Sequence, residues 1–318
     1  MLKISIKKEL LGSKTMDGEL MNGWLITNAF LNTNKFSEIN LWLLEAAKKQ
    51  GIDLLIKTNV DILPLMDDKL KLQLEHSNTP DFILFWDKDI RLAKYLENKG
   101  FVLFNQSSSI ASSDDKALTH LMLQNEGIPM PKTILAPMTY GNIGYTNLDF
   151  LEDIHEQLGF PLILKECFGS FGMQVYKINT MEELIRKTKE LQGVPILFQK
   201  YIKSSSGRDV RLQVVGNQVV AAMYRYSDTG DFRANITNGG KMKPYDPTKE
   251  QIEIALHSCR ALGLDFAGVD ILFGEHEEAI VCEVNSNAHF KNIYDCTGIN
   301  VADCIMEYII KKIILIKK

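Results

Sequence analysis

Residues 267–285 read Ala-Gly-Val-Asp-Ile-Leu-Phe-Gly-Glu-His-Glu-Glu-Ala-Ile-Val-Cys-Glu-Val-Asn, two apolar strands joined by a polar turn. Each strand carries a carboxylate inside its apolar run, Asp270 in the first and Glu283 in the second. Asn285 stands two residues beyond Glu283, so strand alternation puts both on one face. A charge inside an apolar strand is costly to desolvate unless something pairs with it. Three hard oxygen donors on adjacent strands suit Mg²⁺. Taken alone, the stretch fits equally well a hairpin whose carboxylates point to solvent, as half-buried strands often carry charge.

The rest of the chain bounds the choice. At 318 residues it exceeds one typical domain. Hydrophobic residues make up 45%, enough for ordinary cores. Lysine plus arginine number 36 against 40 aspartate plus glutamate, a net charge of −4, which argues against bulk nucleic-acid binding. The cysteines (Cys167, Cys259, Cys282, Cys296, Cys304) are odd in number and form no C-x-x-C, so a reduced cytoplasmic setting is expected rather than a disulfide framework. No signal peptide is read at the N-terminus. The apolar stretch 309–318 is broken by Lys311 and Lys312 and is too short to span a membrane; a terminal helix is expected there. A homo-oligomer is expected.

Along the chain, a strand is expected within 24–30. A helix is expected over 37–51, capped by Ser37 and stopped by Gly51, with Ile39, Trp42, Leu43, Ala46 and Ala47 at helical spacing. Strand-like runs at 52–57, 81–86 and 101–104, with a helix over 90–98, predict a small parallel α/β lobe. No glycine-rich turn follows its first strand, so it is not a Rossmann nucleotide site. Residues 105–113 read as a connector. Ser112-Ser-Asp-Asp115 reads as a capping box opening the next helix. Lys116 in the first turn of that helix opposes the helix dipole, which suits either a nearby anion or a solvated surface lysine.

Residues 161–166 predict a strand with Lys165 near its end, followed by a tight loop Gly169-Ser-Phe-Gly172 and a returning strand. Such a loop lets backbone N–H groups approach phosphate oxygens, although a plain hairpin turn reads the same way. Strands are expected at 196–202, 209–215 and 218–225, with a flexible serine loop at 204–207. Arg225, Arg233, Asn235 and Asn238-Gly239-Gly240 then gather in a polar segment, a candidate anion site or a solvated loop. A capped helix is expected over 248–262 and a last helix from Asn300. No zinc spacing, Gly-x-Ser-x-Gly or cysteine nucleophile pattern is present. His289 is the one histidine near the acidic pair and reads as a satisfied or exposed side chain.

Three stretches together carry a resemblance. They are Asp115-Lys116 with Pro129-x-Pro131; Lys165 with Gly169-x-x-Gly172; and Gly207-Arg-Asp-Val-Arg211, running through Gly230-Asp-Phe-Arg-Ala-Asn235 and Gly239-Gly240 to Gly268-Val-Asp270 and Glu283-Val-Asn285. In this order they resemble the ATP-grasp superfamily, specifically the RimK-type amino-acid ligases, and are similar to the lysine-biosynthesis ligases of that branch. The resemblance implies an α/β protein of three lobes: an N-terminal lobe (1–110), a central lobe with the glycine loop (111–194), and a C-terminal lobe with the metal and substrate site (195–318). It implies ATP held between two antiparallel sheets. Lys116, Lys165 and the loop residues Gly169, Ser170 and Gly172 would hold its phosphates. Gln199, Lys200, Tyr201 and Ile202 would face the adenine, mainly through backbone groups, with Asp209 beside the nucleotide. Arg211 would lie near the phosphates, and Arg225, Arg233 and Asn235 would face the transferred phosphoryl group and substrate carboxylate, the four forming the catalytic set. Asp270, Glu283 and Asn285 would bind two Mg²⁺, or Mn²⁺ in their place.

The implied reaction is ATP-dependent ligation of a carboxylate to an amine through an acyl phosphate, adding an amino acid to a metabolite, peptide or protein tail. Positioning and charge stabilisation carry such chemistry, which matches the lack of a nucleophile pattern. A small-molecule kinase and a non-catalytic ATP-binding module on the same scaffold are the competing readings. The chain departs from the RimK-type pattern at Asn238, where an arginine is usual, and at Met173-Gln174, where a further glycine is common. It departs again at 286–292, where Ser-Asn-Ala-His-Phe-Lys-Asn replaces a small-Pro-Gly run and Phe290-Lys291-Asn292 looks more like the lysine branch. Asn238, Ser286, Asn287, His289 and Lys291 are therefore the positions expected to select the substrate.

Overall fold

The computed structural model describes residues 20–31, 33–66, 79–170, 172–236 and 239–317. Asn238 thus lies outside the described residues, as do residues 1–19 and Phe171 of the glycine loop. The chain divides into two compact units, one of residues 1–104 with 302–318 and one of 105–301.

The first unit holds a parallel sheet. Its strands are β1 (Asn22–Thr27), β2 (Asp53–Thr58), β3 (Phe82–Phe85) and β4 (Leu103–Phe104), ordered β2-β1-β3-β4. Parallel neighbours need crossovers, and helices supply them. They are α1 (Asn34–Lys49) between β1 and β2, and α2 (Ile90–Asn98) between β3 and β4. Phe82, Ile83, Leu84 and Phe85 are all buried, the continuous apolar run of a strand covered on both faces. In α1 the predicted Ile39, Leu43, Ala46 and Ala47 are buried. The helix begins three residues before Ser37, after an extended Thr33. Ser37 therefore sits in its first turns, and its hydroxyl donates back to the Thr33 carbonyl at 3.4 Å. Gly51 at φ 71° supplies the left-handed residue that ends it. The last helix of the chain, which clusters with this unit from residue 302 onward, buries Ile305, Met306, Ile309 and Ile313, and its Tyr308 meets Phe104 edge to face at 6.2 Å.

The second unit begins with α3 (Ser107–Asp114), where a connector was expected. Serines weaken helices by competing for backbone groups. Here the competition is local, because Ser112 Oγ donates to the Ser108 carbonyl and Ser113 Oγ to that of Ile110. Ser107, Ser109, Ile110, Ser112 and Ser113 are buried, so packing settles the conformation. The next helix, α4 (Lys116–Asn125), is capped by Asp115 alone, which accepts from the Ala117 and Leu118 N–H groups; Ser112 belongs to α3.

One antiparallel sheet follows, ordered β5-β8-β6-β7: β5 (Thr133–Leu135), β6 (Leu162–Glu166), β7 (Val175–Ile178) and β8 (Ile196–Lys200). Helices α5 (Phe150–Leu158) and α6 (Met181–Glu190) share its core through Leu151, Ile154, Leu158 and Leu184. A second antiparallel sheet is ordered β11-β10-β9-β12-β13: β9 (Arg208–Val215), β10 (Gln218–Tyr226), β11 (Lys241–Pro244), β12 (Phe266–Phe273) and β13 (Ala279–Asn285). Helix α7 (Lys249–Ala261), with a full Thr248–Gln251 capping box, packs on one face against Val210, Leu212, Val214, Val269 and Ile271. The short α8 (Lys291–Thr297) and α9 (Val301–Ile316) complete the chain. The serine loop at 204–207 is pinned rather than loose: a short 3₁₀ turn covers Lys203–Ser205, Ser204 Oγ donates to the Phe273 carbonyl, and Ser205 Oγ accepts from Phe273 N–H at 3.1 Å.

Candidate functional site

Strand alternation sets the site. On β9 and β12 the residues Val210, Leu212, Val269 and Ile271 enter the core, so Asp209, Arg211, Gln213, Gly268 and Asp270 take the other face. Register puts Arg211 opposite Asp270, and Asp270 opposite Glu283. The pairing then slips between Asp270 and Ile271, which faces Val281. The bulge leaves Cys282 as the extra residue and lets Cys282 and Glu283 both line one cleft, while Val281 and Val284 remain in the core. No sequence signal marks that bulge.

The cleft runs between the two antiparallel sheets, with about 910 Å³ of atom-free space that includes open solvent. Most residues singled out from the sequence line it. From α4 and the first sheet come Lys116, Lys165, Gly169, Ser170 and Gly172. The strand β8 and its exit supply Gln199, Lys200, Tyr201 and Ile202. The second sheet and its loop supply Asp209, Arg225, Arg233, Asn235, Asp270 and Glu283. Arg211 and Asn285 stand on the same sheet face just beyond this lining. Ser286, Asn287, His289 and Lys291 lie outside it: the Ser286 carbonyl accepts from Asn105 Nδ2 at 3.2 Å, and Lys291 pairs with Asp295 at 2.8 Å within α8. Arg208 and Leu272 line the cleft without having been given a role from the sequence, and Gln174, noted only as a departure from the family pattern, lines it too.

Four charges form one cluster. Arg211 forks onto Asp270 (Nε–Oδ1 2.6 Å, Nη2–Oδ2 2.7 Å). Arg225 forks onto Asp209 (2.6 and 2.8 Å) and reaches Asp270 Oδ2 at 2.9 Å. Burial pushes the Asp270 carboxyl up, but Arg211 and Arg225 outweigh it and hold it at about 2. Burial opposes the charge on Arg225, and its two aspartate partners raise its pKa regardless. Burial raises Asp209, which has Arg225 as its close partner, and that guanidinium offsets the effect only in part.

Across the cleft the lysines contrast with this pairing. Lys116 is 8% and Lys165 7% exposed. Lys116 Nζ donates to the Gly169 carbonyl at 3.1 Å, and among the described residues Lys165 Nζ has only Cys282 Sγ, at 3.8 Å. Among the described residues neither ammonium meets a carboxylate within ion-pair distance. Two buried cations without a counter-ion are costly unless an anion binds between them. Arg233 Nη1 donates to the Gly172 carbonyl at 3.0 Å, tying the glycine loop to the second sheet's loop.

The opposite wall carries oxygen donors of the kind that a divalent cation takes. Glu283 has no side-chain hydrogen bond or ion pair among the described residues. The buried Asn285 Nδ2 has no partner, so its amide can turn its oxygen to a cation at little cost. Three of the roughly four acceptor positions on Asp270 are taken by the arginines, which leaves one on Oδ1.

His120 on α4 sits behind β8. Burial, with Lys165 and Lys116 nearby, lowers its pKa from 6.5 to about 3. Between those values the unfolded chain binds a proton that the folded chain does not. The stability that this depression provides is complete above pH 6.5 and is lost as pH falls toward 3. Unfolding free energy should therefore drop by about 2 kcal/mol from this group between pH 7.5 and 5. Denaturant unfolding of His120→Leu at both pH values should show that component missing.

The sequence matches the family model described as the RimK-like ATP-grasp domain over residues 113–309. An uncharacterized protein of Mycoplasma pneumoniae is 37% identical over 263 residues, 81% of this chain and 88% of that protein. The probable alpha-L-glutamate ligase of Legionella pneumophila is 35% identical over 223 residues, 69% of this chain and 70% of that protein. Human N-acetylaspartylglutamate synthase A is 33% identical over 70% of this chain, which spans 56% of that longer protein. In fold, the chain is similar to the D-alanine–D-alanine ligase of Bacillus anthracis complexed with ATP (TM-score 0.68, 18% identity, 94% of this chain and 98% of that one). It is also similar to the ATP-grasp ligase PsnB complexed with minimal precursor, Mg and ADP (TM-score 0.67, 14% identity, 92% and 98%). With that family model covering more than half its length, the chain belongs to the RimK-like ATP-grasp family of ATP-dependent ligases.

Proposed function

We propose that this ligase joins an amino acid, with glutamate the first candidate, to an acceptor through an acyl phosphate made from ATP. The observation that carries the reading is the pair of buried lysines that, among the described residues, have no carboxylate partner, facing a Glu283 likewise without a partner there and the Asp270 wall. Lys116 and Lys165 supply positive charge for the ATP phosphates, and the glycine loop supplies backbone N–H groups. Arg233, fixed between Asp231 and the Gly172 carbonyl, stands where the loop meets the substrate side. Arg225, locked in its cluster, serves as a fixed positive charge rather than a mobile arm.

Asp270, Glu283 and Asn285 would hold two Mg²⁺, which when bound neutralise phosphate charge. In the reaction a substrate carboxylate takes the terminal phosphoryl group of ATP, releasing ADP. The second substrate's amine then displaces inorganic phosphate and loses a proton, leaving an amide. None of these steps requires a protein nucleophile, so the residues' task is positioning and electrostatics. The relatives named for glutamate ligation and N-acetylaspartylglutamate synthesis support glutamate as a substrate.

The test is incubation with ATP, Mg²⁺ and pooled amino acids and acceptors, followed by mass spectrometry. Release of ADP and phosphate, with hydroxylamine trapping an acyl hydroxamate, is expected. AMP and pyrophosphate as products would sink the proposal. A stable phosphorylated product formed without an amine would instead identify a kinase.

A further inference from the structure

The ladder between β12 and β13 ends at the Gly268–Asn285 pair, so Asn285 is the last residue of its strand. Strand ends open more easily than strand centres. Among the described residues the Asn285 Nδ2 has no partner, so the backbone decides where this side chain stands. Two features hold the backbone there. The first is Asn105, the fully buried residue that opens the second unit. Its Nδ2 donates to the Phe266 carbonyl at 3.0 Å and to the Ser286 carbonyl at 3.2 Å. Its Oδ1 accepts from the N–H groups of Asp265 at 2.6 Å and Phe266 at 3.3 Å. One carboxamide thus ties the start of β12 to the residue after Asn285, where the ladder has stopped. The second feature is Gly268. A Cβ there would stand 2.5 Å from the Ala288 Cβ, closer than such atoms come, while Gln213 Oε1 at 3.4 Å and Arg211 Cδ at 3.6 Å would be in ordinary contact. The chain leaving β13 therefore folds back so tightly that the Ala288 methyl fills the space of a side chain at 268.

We infer that Asn105 and Gly268 are positioning residues that clamp the exit of β13 and thereby hold Asn285 at the cation wall. The inference rests on the reading of Asp270, Glu283 and Asn285 as that wall. Mg²⁺ demands near-ideal geometry, so a neutral carboxamide contributes only if its backbone is already in place. Groups that orient a metal ligand without touching the metal typically matter about 10- to 100-fold in affinity.

The experiment measures equilibrium binding of ADP by calorimetry on the full chain, in EDTA and at stepped Mg²⁺ concentrations. Asn105→Ala should raise the half-saturating Mg²⁺ about 10-fold and leave ADP affinity in EDTA within about twofold of wild type. Gly268→Ala should act likewise. Adding Ala288→Gly, which takes away the opposing methyl, should return the Mg²⁺ requirement to within about twofold of wild type. Ser109→Ala removes a neighbouring hydrogen bond, to the Gly263 carbonyl at 2.8 Å, and should leave the Mg²⁺ requirement unchanged. Should Asn105→Ala not fold, the Gly268 and Ala288 variants decide. An unchanged Mg²⁺ requirement in Gly268→Ala, or in folded Asn105→Ala, overturns the inference. So does an equal loss of ADP affinity with and without Mg²⁺, the mark of a general distortion. Wild-type binding of ADP that is indifferent to Mg²⁺ overturns it together with the cation wall, and no binding of ADP at all overturns the nucleotide reading as well.

Discussion

Glu283→Gln is expected to lower ADP release by about 10²- to 10³-fold, the scale of losing one preorganised charge at a reacting phosphate. The midpoint of thermal unfolding should stay close to wild type, because Glu283 has no side-chain partner among the described residues to lose. The substitution keeps shape and removes one negative charge. The half-saturating Mg²⁺ concentration for nucleotide binding should rise as well, a readout independent of turnover. Wild-type turnover and an unchanged Mg²⁺ requirement in this variant would remove Glu283 from the metal wall.

That prediction is cleaner at Glu283 than at Asp270, for a reason the sequence did not carry. That Asp270, Glu283 and Asn285 share one sheet face was legible because strand alternation and an apolar run constrain side-chain direction locally. So were Lys116 in a first helical turn, the capped start of the helix at Thr248 and the parallel N-terminal sheet, all of which depend on short spacings. What alternation did not disclose was the partner across the sheet. Arg211 and Asp270 are 59 residues apart, and their pairing follows from the β9–β12 register. The same holds for Arg225, whose polar context suggested a substrate contact but whose guanidinium is spent on Asp209 and Asp270. The bulge that turns Cys282 into the cleft is a one-residue slip with no turn residue to mark it. The serine-rich 105–113 misled because propensity favours loops there, and burial against the rest of the unit overrides propensity. Of the positions expected to select substrate, Ser286, Asn287, His289 and Lys291 stand outside the lining, which moves attention to Arg233 and Asn235.

The buried cluster makes Asp270→Asn a stability experiment before it is a catalytic one. Asp209 and Asp270 balance Arg211 and Arg225, so the four charges sum to zero. Neutralising Asp270 leaves two guanidiniums against one carboxylate, with the Arg225 side chain only 3% exposed. Breaking a buried pair by removing one member typically costs about 3–5 kcal/mol. That corresponds to a fall of roughly 10 °C in the midpoint for a unit this size. Because Asp270 titrates at about 2, below its ordinary 3.8, its contribution is full above pH 3.8 and fades as pH falls through 2. The destabilisation should therefore be constant from neutral pH down to mild acid. Adding Arg211→Met restores the charge balance, and Arg211 is the more exposed partner at 15%. The double variant should recover stability relative to the sum of the single losses, with a coupling of about 1–3 kcal/mol. Additive losses would show that the cluster is not an energetic unit. Loss of turnover in Asp270→Asn without loss of stability would place Asp270's main role at the metal instead.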